Sequence, residues 1–339
     1  NLTGRIISWR EHGKLVFGHL YDQSGKIQLF IRADSIEPTS KEKQVLGFAD
    51  LKLLDVGDFI QAFGEVVKTK TGEVSLLVKS IKLLTKSLRP LPEKWAGIRD
   101  PETAFRKRYL DLLMDPEKKE RFIRKAKFWE VSRQFMKDHG FIEVETPVLE
   151  TTVGGADARP FVTHMNALDQ DFFLRISTEL YEKRLLAGGF EKIFTLGPNF
   201  RNEGMDDEHL PEYYQLEWYW AYADYHDGMK FVREMYRYIA REVYGRTKFT
   251  SRGMIYDLAD DWEEVDYVKI IKEKLGVDVF KSTDGAMLKV IKAKGVKLPG
   301  DINRARLIDN LWKLVRKDIA GPAFLINEPK SMSPLAKSK

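Results

Sequence analysis

The sequence predicts an α+β protein in which a small β-barrel precedes a larger domain built on an antiparallel sheet. In the first part, alternating apolar segments come in pairs, and a glycine-containing turn joins the members of each pair. The second part mixes strands and helices without the regular βαβ alternation of a parallel sheet. The proline-containing segment 88–92 favours neither a helix nor a central strand, so we predict domains at 1–88 and 89–339.

The first pair of predicted strands surrounds the turn Asp22–Gly25, and the second pair surrounds a turn that ends at Gly72. A helix-like stretch over 40–54 separates the two pairs. Short strands in this order fit a small closed barrel, because closure removes exposed strand edges. An OB-fold is one barrel of this kind.

The second domain begins with a helix whose two ends are both marked in the sequence. Asp115 and Pro116 supply its cap and first-turn proline, and Gly140 ends it, so we predict a helix over 116–139. A second predicted helix covers 179–187. The remaining predicted elements are strands at 141–146, 172–176, 192–196 and 215–222 and a mostly helical region at about 227–318.

The composition excludes several kinds of chemistry. The chain has 339 residues, a formal net charge of +5 and no cysteine, which excludes disulfides, cysteine-ligated zinc, iron–sulfur clusters and a thiol nucleophile. No apolar run approaches the length of about 18 residues that a membrane span requires, so we expect a cytoplasmic protein. The basic run from Arg99 to Lys127 fits either a solvated helix face or a nucleic-acid backbone contact.

The densest polar stretch, 199–213, joins two predicted strands. Arg201 at its base could hold an oxyanion through two parallel hydrogen bonds, and Tyr213 could stack on a flat ring. The alternative is an internal ion pair of Arg201 with Glu203 or Glu217. The glycine-rich phosphate-binding motifs and the HExxH zinc motif do not occur. From the residue types alone, both interpretations stay open.

Eight short motifs follow one another along the chain. They are RKRYLDL (106–112), EVETP (143–147), GGADARPFVTHMNALD (154–169), LRISTELY (174–181), GGFEKIF (188–194), FRNEG (200–204), AYADY (221–225) and SPLAK (333–337). Together they resemble the motifs of class II lysyl-tRNA synthetases. The resemblance implies an N-terminal OB-fold followed by a class II catalytic domain with an antiparallel sheet.

The resemblance also implies how the protein meets its macromolecular partners. The OB-fold would bind the U-rich anticodon of tRNA(Lys), with Phe17 stacking on a base and Gln28 and Glu73 forming hydrogen bonds. The alternative for Phe17 is a position in the barrel core. The helix over 116–139 and the EVETP motif correspond to motif 1, which implies a homodimer interface. The FRNEG motif and its loop correspond to motif 2.

For ATP, the resemblance implies four residues around motif 2. Arg201 would be the catalytic residue, which grips the α-phosphate of ATP together with the carboxylate of lysine. Glu203 would also belong to the ATP site. His209 would lie near the distal phosphates, and Tyr213 would stack on adenine where the family usually has phenylalanine.

For lysine, the resemblance implies two subsites besides Arg201. Gly155 and Glu179 match positions at the α-amino group, and Glu217 and Tyr219 match the pair that receives the ε-ammonium. A charged amine in a cleft requires a carboxylate partner, because an unpaired charge is expensive to desolvate. A related aspartyl enzyme would need a cation where Glu217 stands, although an aspartyl or asparaginyl synthetase remains an alternative.

The implied reaction has two steps. The lysine carboxylate attacks the α-phosphorus of ATP and pyrophosphate leaves; a terminal ribose hydroxyl of the tRNA then attacks the adenylate. Positioning by the protein and charge stabilisation by Arg201 and Mg²⁺ would supply the catalysis, and we assign no general base.

Two features depart from the family pattern. The family continues past SPLAK into motif 3 and the carboxylates that bind Mg²⁺, so we expect a fragment of a longer protein that is inactive alone and contains no metal ligands. The alternative is a non-catalytic tRNA-binding or regulatory paralogue. The loop Asp206–Glu208 carries three acids near the expected triphosphate, and its orientation cannot be decided from the sequence.

Overall fold

The computed structural model describes residues 1–69, 72–92, 98–206, 209–296, 298 and 302–333. The chain forms two compact units, Asn1–Phe122 and Ile123–Lys339. The predicted domain boundary near residue 88 stays a prediction. No helix in the described part of the chain is long and apolar enough to span a membrane.

Five strands of the first unit form a closed barrel in the order β1-β2-β3-β5-β4. They are β1 (Leu2–His12), β2 (Leu15–Tyr21), β3 (Lys26–Arg32), β4 (Phe59–Lys68) and β5 (Val74–Thr85). The two predicted hairpins are β2–β3 and β4–β5, and β3 runs parallel to β5 to close the barrel. The predicted OB-fold barrel is therefore confirmed. The helix-like stretch contains one short 3₁₀ helix, Phe48–Leu53, between the hairpins.

Alternation along β2 decides which side chains fill the barrel. Val16 and Leu20 are buried in a core that includes Leu29, Ile31 and Ile60 from the neighbouring strands. The residues between them therefore point to the outer face, because successive side chains of a strand alternate. Two helices follow the barrel, α1 (Pro101–Arg106) and α2 (Arg108–Met114).

The second unit is built on helix α3 (Pro116–Asp138), most of which lies in it, and on several small sheets. Its described strands are β6 (Ile142–Glu143), β7 (Leu149–Glu150), β8 (Val162–Met165), β9 (Gln170–Leu174), β10 (Lys192–Phe200), β11 (Glu212–Trp220), β12 (Lys248–Ser251), β13 (Met254–Asp257), β14 (Glu263–Asp266) and β15 (Ala323–Ile326). Its other described helices are α4 (Glu179–Ala187), α5 (Tyr225–Tyr244), α6 (Tyr267–Leu275), α7 (Asp284–Ala293) and α8 (Arg304–Val315). The predicted α+β class is confirmed.

The antiparallel pair β10–β11 forms the centre of a sheet ordered β11-β10-β6. One face of this sheet packs on an aromatic core: Leu216 and Trp218 of β11 lie against a cluster that includes Phe135 of α3 and Phe231 of α5. The residues between them face the other way. The fold thus fixes one face of β11 for packing and leaves the opposite face for a site.

The predicted strand over 141–146 and the predicted helical region both differ from the structure. The predicted strand over 141–146 is short, since only Ile142 and Glu143 pair as a strand with β10 before the chain continues towards Pro147. The predicted helical region contains strands β12, β13 and β14 besides its helices. Arg252 and Gly253 both have positive φ and form the two-residue turn between β12 and β13, a turn type that matches the strand twist.

Candidate functional site

The hairpin β10–β11 positions Arg201 directly after β10. The Arg201 amide donates to the Pro211 carbonyl at 2.9 Å, which closes the base of the hairpin. The guanidinium carbon lies 5.4 Å from the ring centroid of Tyr213, so the two side chains that were predicted to meet ATP lie together. The Nε atom of Arg201 is buried and has no hydrogen-bond partner among the residues that the structure describes. Arg201 thus retains donor capacity for an oxyanion.

The described structure contains no ion pair between Arg201 and Glu203 or Glu217, so the alternative of an internal ion pair is not what the fold forms. Glu217 instead accepts hydrogen bonds from Thr178 Oγ1 at 3.1 Å and from Gln215 Nε2 at 3.0 Å. Arg201 affects the pKa of Glu217 only through its charge.

Glu217 is a half-buried carboxylate held by neutral donors. Burial raises its pKa, the hydrogen bond from Thr178 lowers it again, and the neighbouring Glu179 adds to the rise. Asn199 supports the arrangement from β10, because its Nδ2 donates to Gln215 Oε1 at 2.7 Å. A carboxylate in these surroundings favours a cationic partner, since the buried negative charge is only partly compensated.

Gly155 and Glu179, the two residues predicted at the α-amino group, are in contact. Gly155 has a φ of +84°, and a β-carbon there would lie 2.9 Å from Ser177 Oγ and 3.0 Å from the β-carbon of Glu179. The Glu179 amide donates to Ser177 Oγ at 3.1 Å, at the start of α4. The Glu179 carboxylate forms an ion pair with Lys183 one turn later. A ligand amine at Glu179 would therefore compete with Lys183.

Tyr219 follows Glu217 by two residues in β11, so the two side chains face the same side of the sheet. Burial raises the pKa of its hydroxyl, and the carboxylates of Glu179, Glu217 and Glu182 raise it further. The phenol therefore remains neutral over the physiological pH range and can donate or accept a hydrogen bond. The structure thus brings Tyr219 near the carboxylates predicted to bind lysine.

The two other residues predicted for ATP lie at the exposed tip of the hairpin. His209 is paired with Asp206, with Nδ1 2.8 Å from Oδ1, and Glu203 is exposed. The described structure shows no contact that joins either residue to Arg201. Of the acidic loop, Asp207 and Glu208 lie outside the described residues, as does most of the SPLAK motif. The described residues contain no group of three or more His, Asp or Glu that could hold a metal ion.

The residues predicted to read the anticodon form one surface on the outer face of the barrel. Gln28 of β3 donates to Glu73 at 2.8 Å, and His19 of β2 lies 3.4 Å from the same carboxylate. Phe17 is half-exposed and stacks on Phe30, with ring centroids 5.1 Å apart and planes inclined by 8°. Phe17 is therefore not a core residue. An aromatic platform beside hydrogen-bonding groups suits unstacked bases.

Two family models match this chain. A family model described as tRNA synthetases class II (D, K and N) matches residues 100–339. This chain belongs to the class II tRNA synthetases. A second model, OB-fold nucleic acid binding domain, matches residues 1–84 of this class II synthetase.

Curated lysine–tRNA ligases are similar to this class II synthetase over almost its whole length. Those of Thermotoga sp. and Thermotoga maritima are each 46% identical over 99% of the chain and 66% of their own length. That of Fervidobacterium nodosum is 44% identical over 99% of the chain and 64% of its own length. The chain thus spans slightly less than two thirds of the length of these relatives.

A large cavity of this class II synthetase does not coincide with the predicted site. It has a volume of about 1110 Å³ and lies on the packing side of β11, where Leu216, Trp218, Met235 and Phe324 contribute to its lining. None of the predicted site residues lines it. Glu217 and Tyr219, which were predicted for the site, face the opposite side of the strand, because successive side chains alternate.

Several residues around the site were not predicted. Gln215 could have been found from the sequence, because it lies between Tyr213 and Glu217 at the spacing of residues on one strand face. Thr178 and Asn199 gain their roles only from the pairing of the elements that carry them. Glu182 is fully buried, which no local pattern indicates.

Proposed function

We propose that the full-length protein activates L-lysine with ATP and transfers the lysyl group to tRNA(Lys). The observation that supports this most is Glu217, a half-buried carboxylate whose hydrogen bonds come from neutral donors and which lies beside Tyr219. Such a group fits the ε-ammonium of lysine and disfavours the carboxylate or amide of aspartate and asparagine. A cytoplasmic location belongs to this proposal, because tRNA charging serves translation there.

Arg201 is the proposed catalytic residue. Its guanidinium would bind the α-phosphate and the lysine carboxylate together, and Tyr213 beside it would stack on adenine. The carboxylate then attacks the α-phosphorus in line, and the negative charge that develops on the phosphoryl oxygens is stabilised by Arg201. Glu203 and His209 belong to this proposal as ATP-binding residues at the hairpin tip.

The α-amino group of lysine would lie between Gly155 and Glu179. The absence of a side chain at Gly155 keeps the start of α4 uncrowded, since a β-carbon there would lie 3.0 Å from the β-carbon of Glu179. Glu179 would exchange its ion pair with Lys183 for one with the substrate. The adenylate formed in this pocket would then be attacked by a terminal ribose hydroxyl of the tRNA.

Mg²⁺ belongs to the proposal as the ion that accompanies ATP. The described residues provide no carboxylate cluster that fits it, so no step is assigned to it here. Homodimerisation through motif 1 is likewise proposed. It is supported by the apolar side chains of Ile142, Val148 and Leu149, which are 54%, 38% and 50% exposed around the EVETP segment.

Pyrophosphate–ATP exchange by the full-length protein tests the proposed activity. We expect exchange with lysine and none with aspartate or asparagine. Glu217→Gln should weaken the binding of lysine by about 100-fold or more, since breaking a buried charge pair costs about 3 to 5 kcal/mol. The KM for ATP should change little. Glu212→Gln, an exposed carboxylate on the same strand, is the matched control and should behave like wild type.

Exchange with aspartate or asparagine instead of lysine would reassign the substrate. An equal loss of affinity for lysine and for ATP in Glu217→Gln would contradict the assignment of the ammonium pocket. The absence of exchange with any amino acid, together with retained tRNA binding, would favour a non-catalytic paralogue.

A further inference from the structure

Glu182 is a buried carboxylate that the proposed mechanism does not use. It lies on α4, three residues after Glu179, and is 0% exposed. Neither of its carboxylate oxygens has a hydrogen-bond partner. The neighbouring hydroxyls of Thr178 and Thr195 donate elsewhere, to Glu217 and to the Val144 carbonyl. Burial disfavours an ionised carboxylate in this position, and the nearby hydroxyls and the charge of Arg175 compensate its desolvation only in part.

The titratable groups around Glu182 are mostly acidic. On its own helix lies Glu179, which is paired with Lys183, and on β11 lie Glu217 and Tyr219. Arg175, which follows β9, is a basic group whose charge lowers the pKa of Glu182.

Arg175 is already engaged by other groups. It donates from Nε to the Pro198 carbonyl at 2.9 Å and from Nη1 to Thr146, at 3.0 Å to the carbonyl and 2.9 Å to Oγ1. The buried Glu150 of β7 shares its charge. Glu150, Glu182 and Glu217 therefore share the charge of Arg175, while Arg184 also acts on Glu150 and Arg201 on Glu217.

These surroundings hold a proton on Glu182 near neutral pH. Burial raises the pKa of Glu182 to about 7 and the charge of Glu217 adds to the rise, whereas the hydroxyls of Thr195 and Thr178 and the charge of Arg175 lower it. Two interacting carboxylates of this kind share a proton, because the second negative charge is disfavoured by the first.

We propose that Glu182 is a positioning residue which exchanges its proton for the ε-ammonium of lysine. In the free protein Glu182 is protonated and Glu217 is ionised. When the ammonium binds Glu217, Glu182 releases its proton to solvent, the ammonium keeps all of its own protons, and no bond of the substrate changes. The charges of Glu182 and Glu217 sum to −1 before binding. After binding, the charges of both carboxylates and the ammonium again sum to −1. This inference rests on the proposed function, because it requires lysine at Glu217.

The exchange sets the direction of the pH dependence. Below pH 7 lysine binding has to expel a proton from Glu182, whereas above pH 7 the proton has already left. Lysine affinity should therefore rise as the pH rises, by about tenfold between pH 6 and pH 8. The amino groups of free lysine remain protonated over this range, since their pKa values lie higher.

Isothermal titration of the full-length protein with L-lysine tests the exchange. In buffers of different ionisation enthalpy at pH 7, we expect wild type to release about half a proton for each lysine bound, because Glu182 is about half protonated at its pKa. Glu182→Gln should release none, and its lysine affinity should change by less than about twofold between pH 6 and pH 8. Glu191→Gln, an exposed carboxylate before β10, should retain the release and the pH dependence of wild type.

Glu182→Leu keeps the inference testable if the glutamine variant does not fold. An apolar side chain of similar volume removes the unpaired carboxylate, so this variant should melt at a temperature no lower than wild type at pH 8 and bind lysine without proton release.

The outcomes separate this inference from the proposed function. If wild type binds lysine without proton release, or if both Glu182 variants retain the release, the inference is wrong while the lysine pocket stands. If wild type does not bind lysine, both fail.

Discussion

Gly155 adopts a φ of +84°, and a β-carbon at this position would lie 2.9 Å from the Ser177 hydroxyl. Gly189 has a φ of +100°, but a β-carbon there would meet no atom within 4 Å. The two glycines share the backbone conformation and differ in their surroundings. Comparison of the same substitution at both positions therefore separates backbone strain from crowding of the pocket.

Gly155→Ala should lower the free energy of unfolding by about 2 to 4 kcal/mol, through left-handed strain and overpacking together. The substitution should also weaken the binding of lysine at least tenfold, because Ser177 and Glu179 have to move. Gly189→Ala should lower stability by about 1 to 2 kcal/mol through strain alone and leave lysine affinity unchanged. Denaturant unfolding and calorimetry measure both effects, and equal effects of the two substitutions on lysine would contradict the contact between Gly155 and Glu179.

The positions of the site residues follow partly from sequence and partly from tertiary structure. Arg201 stands in the FRNEG motif, Glu217 and Tyr219 lie shortly before the AYADY motif, and the structure places all three at one hairpin. Glu182 is different, because the pair Glu182–Lys183 has the composition of an exposed helix face. Only the packing of α4 against β10 and β11 buries it, and that packing leaves no local trace in the sequence.

Among the elements, the helices with a proline or a glycine at their ends were predicted best. Helix α3 begins at Pro116 and ends shortly before Gly140, as its proline and glycine indicate, and α4 has its predicted bounds, Glu179–Ala187. Strand β11 begins at Glu212, three residues before its predicted start, because pairing with β10 continues to Phe200. Strands β12 and β13 were missed, since four-residue strands carry too little alternation to stand out among helices.

The barrel face formed by β2, β3 and the start of β5 should bind single-stranded RNA. Phe17→Ala should weaken binding of a U-rich oligonucleotide by about 1 to 3 kcal/mol, which is roughly 5- to 150-fold, because one base loses its stacking partner. Fluorescence anisotropy measures the affinity. Phe63→Ala on β4, where the side chain is 54% exposed, is the matched control and should bind like wild type. Similar losses in the two variants would place the RNA elsewhere on the barrel.

The molecule as a whole consists of two compact units, each with its own proposed ligand. Hydrogen exchange followed by mass spectrometry should therefore give two separate footprints. Lysine at one hundred times its Kd should slow exchange in β10, β11 and α4 by up to about 100-fold, because opening of the pocket then requires ligand release. The U-rich oligonucleotide should protect β2, β3 and β5. Protection of the barrel by lysine would contradict the assignment of the pocket.

Even- and odd-numbered residues of strand β11 face opposite sides of the sheet, so the residues that pack the core differ from those proposed to contact the substrate. Even-numbered positions such as Leu216 and Trp218 lie in the aromatic core, whereas odd-numbered positions such as Gln215 and Glu217 lie on the side of the proposed substrate pocket. Altered amino acid preference can therefore be sought by mutating odd positions alone, with the interior left intact. A single-residue insertion within the strand would exchange the two sets, so natural variation in length should accumulate in the hairpin tip instead.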